Sequence, residues 1–111
     1  MQLKSKKYLY DISIAADKVS TFLSGKQWED YVEDDLLRAG VERQFEIIGE
    51  ALNQLSKIDP ETAAQISNYK QIISFRNLLI HGYADIDDRL VWSIVQTKLP
   101  GLRLEVSNQL A

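Results

Sequence analysis

The stretch VERQFEIIGEALNQL, residues 41–55, carries the pattern on which the fold turns. Its apolar residues Val41, Phe45, Ile48, Leu52 and Leu55 step by four, three, four and three, which lines them along one narrow seam of a helix. A seam of that width packs helix against helix. On the N-terminal side, Leu9, Ile12, Ala16, Val19 and Phe22 trace the apolar stripe of a first helix. It is expected to stop near Ser24-Gly25, where glycine can take the left-handed cap. Between the two stripes lies an acidic opening from Trp28 to Leu37, and Gly40 leaves open whether the chain breaks there or only kinks on its way into Val41.

On the C-terminal side, Asp59-Pro60 is a helix start. The aspartate can accept an orphan amide hydrogen bond, and proline at the first helical position sacrifices no donor. A short helix from about Glu61 to Ile66 is predicted. A longer one follows through Tyr69, Ile72, Ile73, Leu79 and Ile80, ending at Gly82 immediately after His81. The last helix should begin after Asp87, carry Val91, Ile94, Val95, Leu99, Leu102 and Val106, and bend at Pro100. With two prolines, five glycines and no period-two alternation, the chain reads as all-α, an up-and-down bundle of four to five helices in a single domain spanning residues 1–111. No internal repeat or linker interrupts it.

Composition narrows the function. A length of 111 residues with 45% hydrophobic and 26% charged residues suits one globular core. There is no cysteine and only one histidine, so disulfide and thiolate chemistry are excluded and a structural metal is not expected. Asp11, Asp17 and Lys18 interrupt the segment after the basic N-terminus, so no export signal is read there. No apolar run approaches the roughly 20 residues that span a bilayer, and the expected location is the cytoplasm without membrane association. The net charge of −3 argues against nonspecific coating of nucleic acid, so a nucleic-acid site must be local. The acidic groups Glu29, Asp30, Glu33, Asp34 and Asp35, and Asp85, Asp87 and Asp88, read first as solvated surface and second as a docking face for a basic partner.

The candidate chemistry is at the C-terminal end of the third long helix. Arg76 and His81 are five residues apart, so their Cβ atoms point away from one shared face and side-chain reach must close the gap. Asn77 lies one turn before His81, where its amide could orient the imidazole. A guanidinium can grip a phosphate bidentately, and imidazole, with a reference pKa of about 6.5, exchanges protons near neutral pH. Together they suit cleavage of an RNA linkage by its own 2′-hydroxyl, which needs no metal and leaves a 2′,3′-cyclic phosphate. One histidine cannot act as base and acid at once, and a dimer that brings two Arg76 and two His81 to one cleft would solve this. The spacing alone reads first as a histidine capping a helix end and an arginine paired with a carboxylate such as Glu46 or Glu50.

The string Arg76-Asn77-Leu78-Leu79-Ile80-His81-Gly82-Tyr83 resembles the signature of HEPN domains, in which arginine and histidine are separated by four to six residues and a polar residue follows the arginine. Its extension to Tyr83 is similar to the form seen in HepT toxins. Residues 41–52 resemble that family's second helix motif, and Val91-Trp92 with Leu99-Pro100 its last helix. The resemblance implies a homodimeric HEPN-like bundle that acts as a metal-independent endoribonuclease on tRNA or mRNA, without a cofactor, with Arg76 and His81 catalytic and Asn77 orienting the site. It also implies a partner antitoxin, a minimal nucleotidyltransferase of the MntA kind, that silences the toxin by transferring AMP to the tyrosine of the motif, here Tyr83. An adenylylated Tyr83 would put bulk and negative charge where the RNA phosphate must bind.

Two other functions remain consistent with the residues. One is a noncatalytic module that holds a nucleotidyltransferase or nucleotide, and the other a purely structural helical dimer. Trp28, Tyr31 and Trp92 could stack on bases but read first as core, and Lys4, Lys6 and Lys7 read first as a solubilising terminus.

Overall fold

A computed structural model describes residues 1–111, the side chain of Tyr83 excepted. The fold is all-α, with no strand among the described residues. Helix α1 (Leu3–Phe22) buries Leu9, Ile12, Ala16 and Val19, as their spacing predicts, and adds Ser5 and Ala15. Phe22, expected on the same stripe, is partly exposed. The chain turns through Gly25 at φ 73°, the left-handed conformation that glycine adopts without a Cβ penalty.

The acidic opening forms a helix of its own, α2 (Trp28–Glu33). The break falls at Asp34 and not at Gly40: the Asp34 carboxylate accepts a hydrogen bond from the Leu37 amide at 3.0 Å and starts α3 (Asp35–Ile58). Gly40 continues inside α3, and the ring of Phe22 packs 3.4 Å from where its Cβ would stand. The whole seam Val41, Phe45, Ile48, Leu52 and Leu55 is buried. Each such side chain contributes roughly 1.5–3 kcal/mol on leaving water.

Asp59 and Pro60 open α4 (Pro60–Ala64), which ends before the expected Ile66. Asp59 also reaches beyond its own helix. Its carboxylate accepts from the Thr62 hydroxyl at 2.7 Å and from the buried Ser5 hydroxyl of α1 at 2.8 Å. Hydrogen bonds from Thr62 and then Ser5 hold the carboxyl below the usual aspartate range.

Helix α5 (Tyr69–His81) ends at Gly82 as the sequence predicts. A 3₁₀ turn (Tyr83–Asp85) leads to Asp87, which caps α6 (Asp88–Thr97) through the amides of Arg89 and Leu90. The expected bent last helix is two helices: the chain breaks at Lys98, and Pro100 sits in the first turn of α7 (Leu99–Leu110). Proline is tolerated in a first turn, whose amides have no intrahelical acceptor, but not further along. This split and the separate α2 account for seven α-helices where four to five were expected.

Helix α3 is the centre of the bundle. Helices α1 and α5 pack on it, α4 adjoins its end, and α7 packs on α1 and α6. Phe45 of α3 meets Phe75 of α5 edge to face, with ring centroids 5.4 Å apart. Trp28, Tyr31 and Trp92 form a second aromatic group, joining α2 to α6, with Tyr31 fully buried. Burial pushes the Tyr31 phenol well above its ordinary range, with Glu42 and Asp88 adding to the effect. Among the described residues no helix is long and apolar enough to cross a membrane.

Candidate active site

Helix α5 approaches α3 closely because of one glycine. A Cβ at Gly49 would stand 2.2 Å from Arg76 Cβ and 2.7 Å from Arg76 Cγ, so any side chain there would push the two helices apart. The close approach lays the arginine stem against α3 and delivers its guanidinium to Glu50, the next residue along.

There the guanidinium enters a polar chain of four residues. Gln54 Nε2 donates to Glu50 Oε1 at 2.9 Å, Glu50 Oε2 accepts from Arg76 Nη2, and Arg76 Nη1 donates to Asn77 Oδ1 at 2.7 Å. Gln54 and Glu50 are one turn apart on α3, so the helix fixes the carboxylate from behind. The pairing of Glu50 with Arg76 is among those the sequence offered, as is that of Arg43 with Glu46, at 3.9 Å. The Arg76 side chain is 21% exposed, and its Nε–H is buried without an acceptor. A charged donor left this way is costly unless an anion meets it.

The expected orienting contact of Asn77 takes a different direction. Its amide oxygen holds Arg76, and no hydrogen bond joins it to His81 among the described residues. His81 is exposed as the last residue of α5, where the partial negative charge of the helix end suits a cation. Positions 76 and 81 are separated by about 140° around the helix axis. Accordingly Arg76 and Ile80 line a cleft of about 320 Å³, and His81 is not among its lining residues. The single chain therefore assembles Arg76 with Asn77 but not with His81. The Tyr83 side chain lies outside the described residues.

The cleft runs over the outer face of α3, between Tyr8 and Asp11 of α1 and Arg76 and Ile80 of α5. Trp28, Tyr31 and Trp92 lie elsewhere and pack on one another, with the Arg89 guanidinium 4.0 Å above the Trp28 ring. Lys7 is engaged with Asp11 at 2.9 Å. The sequence placed Glu50 among structural pairings, and Gln54 and Gly49 carried no sequence signal. Among the described residues no three His, Asp or Glu side chains converge as metal ligands.

The family model described as "Ribonuclease HepT-like" matches residues 12–108. This chain belongs to the HepT-like ribonuclease family. A Methanocaldococcus jannaschii protein named "Putative RNase MJ1380" is 34% identical over 101 residues, covering 91% of this chain and 92% of the relative. A Thermococcus cleftensis protein named "Probable ribonuclease HepT" is 31% identical over 107 residues, covering 93% of each chain. No solved structure matches the sequence. The family match includes the Arg76 to His81 segment and the whole of α3, which lines the cleft with it, while Tyr8 and Asp11 of α1 precede the matched residues.

Proposed function

We propose that this HepT-like chain is a metal-independent endoribonuclease, the toxin of a toxin–antitoxin pair, acting on tRNA or mRNA. The observation that carries the reading is Arg76, clasped by Glu50 and Asn77 at the wall of an open cleft with its Nε–H still without an acceptor. A scissile phosphate would meet the guanidinium from the cleft that Arg76 lines. The ribose O2′ attacks phosphorus, its proton passes to a neutral imidazole, and the P–O5′ bond breaks as O5′ takes a proton from an imidazolium. The products are a 2′,3′-cyclic phosphate and a free 5′-hydroxyl.

Two imidazoles are needed for that sequence, and each chain has one. A homodimer supplies both: His81 lies at an exposed helix tip, from which it can enter the cleft of a second copy that its own Arg76 does not share with it. Regulation follows from the same end of α5. A nucleotidyltransferase antitoxin that moves AMP onto Tyr83 would place a phosphate two residues from His81 and compete with RNA for the cationic groups.

The test is cleavage of end-labelled RNA by the purified chain in excess EDTA, compared with His81→Ala and Arg76→Ala. Wild-type cleavage that leaves cyclic phosphate ends, lost in both variants, is the expected result. Cleavage persisting unchanged in His81→Ala would overturn the mechanism, and RNA binding without cleavage by the wild type would leave a noncatalytic module.

A further inference from the structure

Resting on the ribonuclease reading, we propose that the cleft beside Arg76 is a guanine-binding subsite, with the Glu46 carboxylate reading the base and Tyr8 supplying a stacking face. The charge of the cleft is the first reason. Asp11, Glu46 and Glu50 bring three carboxylates to a wall that holds two guanidiniums, Arg43 and Arg76. Such a surface does not follow a phosphate backbone, which tracks grooves of positive charge. Phosphate is favoured beside the two guanidiniums, and the carboxylate side of the cleft suits an uncharged group rich in hydrogen-bond donors.

The second reason is that the carboxylates are not equivalent. Asp11 accepts from Lys7 at 2.9 Å, and Glu50 accepts from both Gln54 and Arg76. Glu46 accepts no hydrogen bond among the described residues. Its nearest cation, Arg43 Nη1, is 3.9 Å away, too far for a hydrogen bond, and the Arg43 side chain is 67% exposed. Glu46 thus offers two acceptor oxygens to the same cleft that Arg76 lines, one helical turn before the residue that clasps Arg76.

Among the RNA bases, guanine presents two adjacent donors, N1–H and the exocyclic amine, on its Watson–Crick edge. A carboxylate can accept both in parallel, the mirror image of an arginine fork on a phosphate. Adenine and cytosine each present one amine beside an acceptor, which a carboxylate repels. Arg43, one turn before Glu46, is within side-chain reach of the guanine O6 and N7 acceptors. The half-buried ring of Tyr8 stands on the α1 side of the cleft, and single-stranded bases stack on such rings. The volume of about 320 Å³ lies at the lower end of the range that ligand pockets occupy, about 300–1,000 Å³.

The experiment uses the full chain and three oligouridine RNAs that differ only in one central base, G, A or C. Cleavage beside G is expected to exceed cleavage beside A or C by roughly tenfold or more. Glu46→Gln, which keeps the shape and removes the second acceptor, should bring the ratio towards one, and Tyr8→Leu should weaken KM for the G substrate by roughly tenfold. Equal cleavage of the three RNAs by the wild type, or a G preference that survives in Glu46→Gln, would overturn the subsite. If the wild type cleaves no RNA, the ribonuclease reading fails separately, and titration with guanosine 5′-monophosphate decides the subsite. Amide shifts at Tyr8, Arg43 and Glu46 with the guanosine and not the adenosine nucleotide support it. Equal shifts with both nucleotides, or none because a second copy covers the cleft, overturn it.

Discussion

Two carboxylates each organise a polar cluster between helices, and they do so in opposite ways. Asp59 is the centre of a closed cluster: the Thr62 amide and hydroxyl and the buried Ser5 hydroxyl all donate to it, tying the N-terminal end of α1 to the start of α4. Glu50 is the centre of an open one. Gln54 and Arg76 donate to it, but the Glu50 side chain is 45% exposed, and the guanidinium that it holds retains a buried donor without an acceptor. A cluster that satisfies every member contributes to stability and has nothing left to bind. One that holds a cation on a part-exposed carboxylate at a cleft wall leaves that cation open to an anion from outside.

The contrast separates activity from stability, and three substitutions probe it. Gly49→Ala should have the largest effect. Its Cβ would stand 2.2 Å from Arg76 Cβ, an atom next to the backbone that cannot swing aside, so α5 must shift as a whole. A displacement near 1 Å at a reacting group lowers turnover by up to about a hundredfold. Overpacking also destabilises by about 1–3 kcal/mol, of which the helix preference of alanine returns at most about 1 kcal/mol. RNA cleavage assays with thermal melts would read both, and unchanged cleavage would mean that the Gly49 crossing does not position Arg76.

Glu50→Ala should come next. Loss of one charge-assisted hydrogen bond to the guanidinium is expected to lower kcat/KM roughly tenfold or more while the melting temperature moves little, because the pair is partly exposed. Equal losses of activity and stability would make Glu50 a structural residue like Asp59. Ser5→Ala should have the smallest effect on function: about 1 kcal/mol of stability lost with cleavage unchanged. It should also change the acid limb of unfolding. The folded-state pKa of Asp59 is lowered by the Thr62 and Ser5 hydroxyls, so its ionised form stabilises the fold above the ordinary aspartate pKa, and that contribution disappears as pH falls. With the Ser5 donor gone, the folded-state pKa lies closer to the ordinary aspartate value, so the loss should be smaller and complete at a higher pH, which a urea titration across pH 3–6 would detect.

Much of the fold was legible because helical periodicity is a local property. The seam from Val41 to Leu55, the Asp59-Pro60 start and the stop at Gly82 all stood where the sequence placed them. The helix breaks were less legible. Gly40 carries a break signal, yet the helix runs through it because the Phe22 ring, eighteen residues away, fills the space beside it. The break at Lys98 was masked by an apolar period that continues unbroken from α6 into α7. The candidate site was legible as a string of residue types but not as a geometry. Asn77 points to Arg76 rather than His81, and neither Gln54 nor Gly49 carried a signal, because their roles exist only once α5 lies on α3.

The sequence by itself determined that the chain is helical, where α1, α3 and α5 run, and that Arg76, Asn77 and His81 share one helix end, since each follows from spacing and from residues at fixed offsets. The tertiary structure alone decided that Arg76 meets Glu50, that its donor set is left incomplete at a cleft wall, and that His81 stands apart from it on the same chain. Hydrogen-bond partners twenty-six residues apart depend on how closely two helices cross, and that distance is set by a missing Cβ at Gly49 rather than by any local preference of the chain.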